Sequence, residues 1–246
     1  MLYNLQTNKK IIKYNEKRCQ KQIPADSTFK IALSLMAYNE NIINNKTIFT
    51  WDKKERWLKE WNQNQTPRTW MKYSAVWVSQ FITPQLGILK IKDYLQKFNY
   101  GNQDFSGDLG KNNGLTNAWL NSSLKISGDE ELSFLINMFQ FKLSISHDAI
   151  KNTWQNMYIE NNQKVDDSLY GTHFDFIKNN WQLFAKTGSN GSTGIRDGWF
   201  VGIAQKDHQK YIFVTNFSDT KPIHDNISGG GVAKGITIKL LNQFLK

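Results

Sequence analysis

One cysteine, Cys19, stands in 246 residues, which excludes an intrachain disulfide and a cysteine-built zinc site. No apolar run reaches the roughly 18 residues of a membrane-spanning helix, so no membrane partner is expected. The four histidines, His147, His173, His208 and His224, stand apart without metal-ligand spacing, and no metal is expected. No phosphate loop or dinucleotide fingerprint occurs. Gly229-Gly230-Gly231 lacks a strand-to-helix G-x-G-x-x-G context and reads as a flexible hinge. Arginine is confined to Arg18, Arg56, Arg68 and Arg196, and basic runs stop at pairs such as Lys9-Lys10. The net charge of +10 is therefore a dispersed basic surface rather than a nucleic-acid footprint. Internal repeats are absent.

What is present is a folding composition: 39% hydrophobic residues and 13% aromatics, with nine tryptophans. The length suits one large core or two lobes sharing a cleft. Leu2 to Lys13 alternates about a Thr7-Asn8 turn, as a hairpin does. Pro24 and Asp26 are helix-start signals for an almost wholly apolar helix from about Ser27 to Asn39. Thr66-Pro67 opens a helix leading through Trp70 to Ser79, and Thr83-Pro84 opens the next, which Tyr100-Gly101-Asn102 ends. Further helices are predicted from Asp129 to about Leu143 and within Ser146 to Tyr158. The last third turns to strands at Trp181–Lys186, Asp197–Ala204 and Tyr211–Val214, and closes on a helix from Val232 to Leu245. Strands at both ends and helices between them predict a mixed α/β fold. An antiparallel sheet flanked by helices would be built from 1–44 with 165–246, and a mostly helical lobe from 45–164, within one domain.

Four short signatures fall on these elements in one order: Ser27-Thr28-Phe29-Lys30, Ser74-Ala75-Val76, Tyr100-Gly101-Asn102 and Lys186-Thr187-Gly188. Taken singly each has an ordinary explanation. Ser27 and Lys30 serve as a cap and a solvated lysine, Ser74 as packing, Tyr100-Gly101-Asn102 as a helix stop, and Lys186-Thr187-Gly188 as a strand end. On a helix, however, Ser27 and Lys30 share one face a turn apart, which suits a nucleophile beside a base. S-x-x-K and K-T-G together belong to the acyl-transfer site of serine-active penicillin-recognising proteins.

The second signature selects the branch. It is Ser74-Ala75-Val76 rather than S-D-N, and no counterpart of the class A glutamate motif is found. The chain resembles the class D, oxacillinase-type serine β-lactamases from Ala25-Asp26-Ser27-Thr28-Phe29-Lys30 to Gly198-Trp199-Phe200-Val201-Gly202. Trp77-Val78-Ser79-Gln80 and Tyr100-Gly101-Asn102-Gln103-Asp104-Phe105-Ser106-Gly107 bring it near one subgroup.

The resemblance implies the penicillin-recognising fold and a β-lactam substrate. Ser27 would be acylated. Lys30, desolvated among Phe29, Val76 and Trp119, would carry a carbamate derived from carbon dioxide or bicarbonate and act as general base, with the Trp119 indole holding the carbamate. An ammonium cannot accept a proton, whereas a buried lysine has a depressed pKa and a reactive neutral amine. Ser74 and Lys186 would carry a proton to the leaving nitrogen. The backbone N–H groups of Ser27 and Ser189 would form the oxyanion hole. Thr187, Gly188, Ser189, Tyr100, Trp61 and Ser228 complete the expected substrate site, with Trp61 as an apolar wall. One departure concerns the arginine that binds the substrate carboxylate in many class D enzymes. It is missing from Gly229-Gly230-Gly231-Val232-Ala233-Lys234-Gly235, where Ser228, Thr187 or Lys234 could serve.

The expected activity is β-lactam hydrolysis conferring resistance. The alternative is a non-hydrolysing sensor domain of a penicillin-responsive receptor, and a cell-wall transpeptidase is disfavoured by length. Met1-Leu2-Tyr3-Asn4-Leu5 opens directly in strand-like sequence. The expectation is therefore that Met1 replaces a removed export signal, that the protein works in the periplasm, and that it is a monomer or weak homodimer without nucleic-acid partners.

Overall fold

The computed structural model describes residues 1–160, 180–190, 196–219 and 228–245. The expected lobe boundary at 164 and 165, His173 and His224 lie outside these residues.

The chain opens on a hairpin of β1 (Leu2–Asn4) and β2 (Lys9–Ile12). The Asn4 side chain accepts the N–H groups of Gln6 and Thr7, and Asn8 takes a positive φ that closes the turn. A short helix α1 (Glu16–Gln20) and strand β3 (Ile23–Pro24) follow. A single 3-10 turn, Asp26–Thr28, then enters α2 (Phe29–Asn39). Residues Phe29 to Tyr38 of α2 are all buried. A helix buried on every side is a central core element.

Next come α3 (Pro67–Tyr73), α4 (Val76–Leu86), α5 (Ile88–Lys97), the one-turn α6 (Gly114–Asn117), strand β4 (Lys125–Ile126), α7 (Gly128–Phe139) and α8 (His147–Asn156). Reciprocal capping boxes start α3, through Thr66 and Thr69, and α7, through Ser127 and Glu130. Such caps contribute about 1 kcal/mol each and are local signals. Two helix boundaries differ from expectation. Pro84 lies inside α4 instead of opening a helix, because Val78, Ile82 and Leu86 continue one buried face through it, and the break falls at Gly87 with φ 76°. The predicted run from Trp70 to Ser79 is broken at Ser74, which adopts a left-handed conformation (φ 60°, ψ 31°).

The remaining strands are β5 (Tyr158–Ile159), β6 (Gln182–Ser189), β7 (Arg196–Lys206) and β8 (Gln209–Asp219), and the described chain closes on α9 (Gly229–Phe244). They complete an antiparallel six-stranded sheet in the order β2-β1-β8-β7-β6-β5, so the N-terminal hairpin joins strands from the far end of the chain. The period-two alternation of a strand divides its side chains between two layers. Trp199, Val201 and Ile203 of β7 face the helical layer around α2, while Phe200 and Ala204 pack with Ala233, Ile238 and Leu241 of α9.

The triple glycine is not a hinge. It forms the first turn of α9 and lies against strand backbone. A Cβ on Gly229 would stand 2.2 Å from the Asp197 carbonyl oxygen, and one on Gly230 would stand 2.7 Å from both the Gly188 oxygen and the Ser189 hydroxyl. Glycine is required because backbone meets backbone here.

Candidate active site

The 3-10 turn at the mouth of α2 lies against β6. The Thr28 methyl approaches Gly188, where an added Cβ would find it at 3.3 Å. The Trp199 indole of β7 donates to the Pro24 carbonyl at 2.9 Å and fixes the entry to that turn. Ser27 lies inside the 3-10 turn rather than at its N-cap, and its Oγ accepts from Lys30 Nζ at 3.1 Å. Lys30 is 0% exposed. Burial pulls its pKa down from 10.5 to about 7, against an opposing pull from Asp26.

A second lysine–serine pair faces the first. Lys186 of β6 donates through Nζ to Ser74 Oγ at 2.9 Å and to the Thr187 carbonyl at 2.9 Å, with Thr187 Oγ1 at 3.5 Å. Burial, reinforced by the charge on Lys30, holds Lys186 well below the ordinary lysine range. Ser74 reaches this position because α3 ends on it: a continuous helix through 70–79 would not give it the left-handed backbone it has. The four groups expected to do the chemistry thus form two hydroxyl–amine pairs, each a buried lysine against a half-buried serine, with both amines biased toward the neutral form.

Trp119 is fully buried, stacked on Phe105 at 6.0 Å and tilted against Phe29 at 5.5 Å. Its indole N–H is buried without an acceptor. A buried N–H in an apolar wall calls for an oxygen partner, and together with a neutral Lys30 amine it fits a carbamate on that lysine. Val76 begins α4 two residues beyond Ser74 and is half-buried.

Gly188 and Ser189 pair with Trp199 and Gly198 at the end of β6. Ser189 Oγ accepts the Gly230 N–H at 2.9 Å, tying that strand end to the start of α9. Ser228 is exposed and caps α9 through Gly231 N–H at 3.1 Å. Lys234, one turn further, shares a cavity of about 80 Å³ with Lys186, Thr187 and Lys72, and burial lowers its pKa.

Tyr100 corrects the expected substrate site. It is 0% exposed, wedged between Phe29 at 6.1 Å and Phe134 at 5.1 Å, so it supports the serine helix from behind and lines no cleft. Behind it lies Glu131, fully buried, whose carboxyl is pushed up to about 8 by burial and interacts with the Tyr100 hydroxyl. Trp61 is half-buried beside Trp57, with ring centroids 5.7 Å apart.

Asp26 escaped the sequence reading, which took it only as a helix-start signal. It is 2% exposed, has φ 48°, and accepts the Asn121 N–H at 3.2 Å. Burial raises its pKa to about 7, with Asp197 pushing the same way. The available signal was an acid directly before Ser27 in a run otherwise destined for the core. Among the described residues no group of three or more His, Cys, Asp or Glu could hold a metal, and no helix is long and apolar enough to cross a membrane.

A family model described as the penicillin binding protein transpeptidase domain matches residues 2–242. The chain is 44% identical over 245 residues to Beta-lactamase OXA-1 of Escherichia coli, covering 98% of this chain and 83% of the relative. Among solved structures, the class D β-lactamase BAT-2 superposes with a TM-score of 0.82 at 30% identity, covering 99% of this chain and 89% of that one. The C-terminal domain of the Bacillus licheniformis BlaR penicillin receptor reaches a TM-score of 0.83 at 26% identity, covering 99% and 88%. Fold likeness is therefore shared by hydrolases and a receptor, while identity over nearly the full length favours the hydrolases. With the paired lysines and serines on an α2–β6 frame, these likenesses establish that the chain belongs to the class D, oxacillinase-type serine β-lactamases.

Proposed function

We propose that this protein hydrolyses β-lactam antibiotics through an acyl-enzyme on Ser27 and so confers β-lactam resistance. The observation that carries the reading is the pairing of a fully buried Lys30 with Ser27 at 3.1 Å. An amine shifted to about 7 is available as a neutral group at working pH. When carboxylated, Lys30 supplies an anionic oxygen base beside Ser27, with the Trp119 indole N–H as its hydrogen-bond donor.

In acylation Ser27 Oγ attacks the lactam carbonyl carbon and its proton passes to the Lys30 side chain. The Ser27 and Ser189 backbone N–H groups receive the developing oxyanion, each such donor supplying a few kcal/mol. The lactam C–N bond breaks, and the Ser74–Lys186 pair delivers a proton to the leaving nitrogen and regains one from the Lys30 side chain, which is left free to act as base again. In deacylation a water gives its proton to the Lys30 side chain and attacks the acyl carbon, and the acyl C–O bond breaks as that proton passes on to Ser27 Oγ, which restores the free serine. Thr187 and Lys186 face the substrate carboxylate, with Ser228 and Lys234 near it in place of an arginine. Gly188 lets the substrate lie close to β6, and Trp61 walls the substrate side chain.

The 246 residues act as one penicillin-recognising domain with sub-lobes 1–44 with 165–246 and 45–164. It works in the periplasm as a monomer or weak homodimer, without nucleic acid. The second reading, a β-lactam sensor, is supported by the likeness to the BlaR receptor domain and by more distant receptor-type relatives that match most of the chain. A steady-state assay with a chromogenic β-lactam, with and without bicarbonate, separates the two. Many turnovers per protein support hydrolysis, and one stoichiometric acylation without turnover overturns it.

A further inference from the structure

The two sides of the Ser74 corner are tied to a single residue of the preceding loop. Trp61 donates its indole N–H to the Tyr73 carbonyl at 2.8 Å. That carbonyl belongs to the last turn of α3 and has no acceptor role within the helix. Trp77, in the first turn of α4, donates its own indole N–H to the Trp61 carbonyl at 3.1 Å. Trp61 therefore grips residue 73 with its side chain and residue 77 with its main chain, and Ser74 lies between the two grips.

The loop that carries Trp61 is itself braced. Arg56 and Asn62 exchange hydrogen bonds at 2.8 and 2.9 Å, Arg56 forms a two-pronged ion pair with Asp52 at 2.9 Å, and its guanidinium lies 5.3 Å over the Trp77 ring. Ser74 needs such support. A left-handed backbone is disfavoured for a residue with a Cβ, and the corner persists only where its surroundings over-determine it.

We propose that Trp61 is a positioning residue for the reaction, in addition to its expected part as an apolar wall. Its indole N–H holds the Tyr73–Ser74 peptide so that the Ser74 hydroxyl stays 2.9 Å from Lys186 Nζ, ready for proton delivery to the leaving nitrogen. This rests on the acyl-transfer role proposed above for Ser74 and Lys186. A positioning role acts on acylation. It leaves deacylation, which belongs to Lys30, nearly untouched, and it is indifferent to the substrate side chain.

The test is single-turnover kinetics of Trp61→Phe, which keeps an apolar ring and removes the donor, in the wild-type and Ser74→Ala backgrounds. Two substrates are used, a bulky penicillin and a penicillin nucleus lacking the acyl side chain. Acylation is expected to slow about tenfold on both substrates, the scale of one lost hydrogen bond. Deacylation should be unchanged, and Trp61→Phe should add nothing once Ser74 is alanine. Trp77→Phe, which removes the second grip, should show the same pattern and replaces Trp61→Phe if that variant does not fold. The proposal is overturned by unchanged acylation, by slowing confined to the bulky penicillin, or by equal slowing in both backgrounds. A wild-type protein that forms no acyl-enzyme overturns the proposed function and this proposal with it. A wild-type protein that acylates at the same rate as Trp61→Phe overturns this proposal alone.

Discussion

Lys30 stands 3.1 Å from Ser27 across one turn, and the whole of Lys30 is out of water. Proximity without burial would leave an ammonium that hydrogen-bonds the hydroxyl and cannot take its proton. Burial converts the same neighbour into a base. Lys30→Ala should therefore lower deacylation by about a hundredfold to ten-thousandfold, the usual contribution of a positioned base. The acyl-enzyme should accumulate and be visible by intact-protein mass spectrometry. Full turnover in this variant would remove Lys30 from the mechanism.

The pH dependence follows from the same residue. With its pKa lowered from 10.5 to about 7, the Lys30 amine is neutral above about pH 7 and protonated below it. Only the neutral amine adds carbon dioxide. Activity should fall as pH drops through 7, and added bicarbonate should restore it after return to neutral pH. Rates that ignore bicarbonate after acid treatment would count against a carbamate.

Trp119→Phe keeps the stack on Phe105 and the contact with Phe29 while deleting one buried N–H. Losing a hydrogen bond to a charged acceptor costs about 1.5–3 kcal/mol. The bicarbonate concentration for half-maximal activity should rise by at least about tenfold, with the melting temperature little changed. An unaltered bicarbonate requirement would free Trp119 from this role.

Glu131→Gln addresses the acid behind Tyr100. Glu131 keeps its proton in the folded state up to about pH 8, whereas the unfolded chain ionises near 4.5. The unfolded state is therefore favoured progressively as pH rises from 4.5 to 8, and the native state carries this penalty in full above 8. Glutamine has the shape without the ionisation. The variant should melt several degrees higher than wild type at pH 8, and the gap should close toward pH 4.5. A constant gap across this range would show that Glu131 does not titrate as a buried acid.

Much of the local structure was legible in the chain. Thr66 and Thr69, and Ser127 and Glu130, announce helix starts because capping is decided within four residues. The hairpin, the closing strands and the apolar α2 follow from alternation or its absence. Other positions misled for a common reason. Pro84 and the triple glycine were read by backbone propensity, yet one is carried through a helix by the buried face of Val78, Ile82 and Leu86. The other is demanded by the contact of Gly229 and Gly230 with Asp197, Gly188 and Ser189. Tyr100, named with a motif, turned out to sit behind the serine helix.

The order and spacing of four motifs were enough to point to the family, because acyl transfer constrains residue types as strictly as it constrains their places. What sequence order could not supply was burial and direction. The left-handed turn that aims Ser74 at Lys186, the loss of water around Lys30, the enclosure of Asp26 and Glu131, and the indole grip of Trp61 on Tyr73 all join residues distant along the chain. They arise when α2, the α3–α4 corner and β6 close on one another. Desolvation and hydrogen-bond direction are properties of that packing, and no single segment carries them.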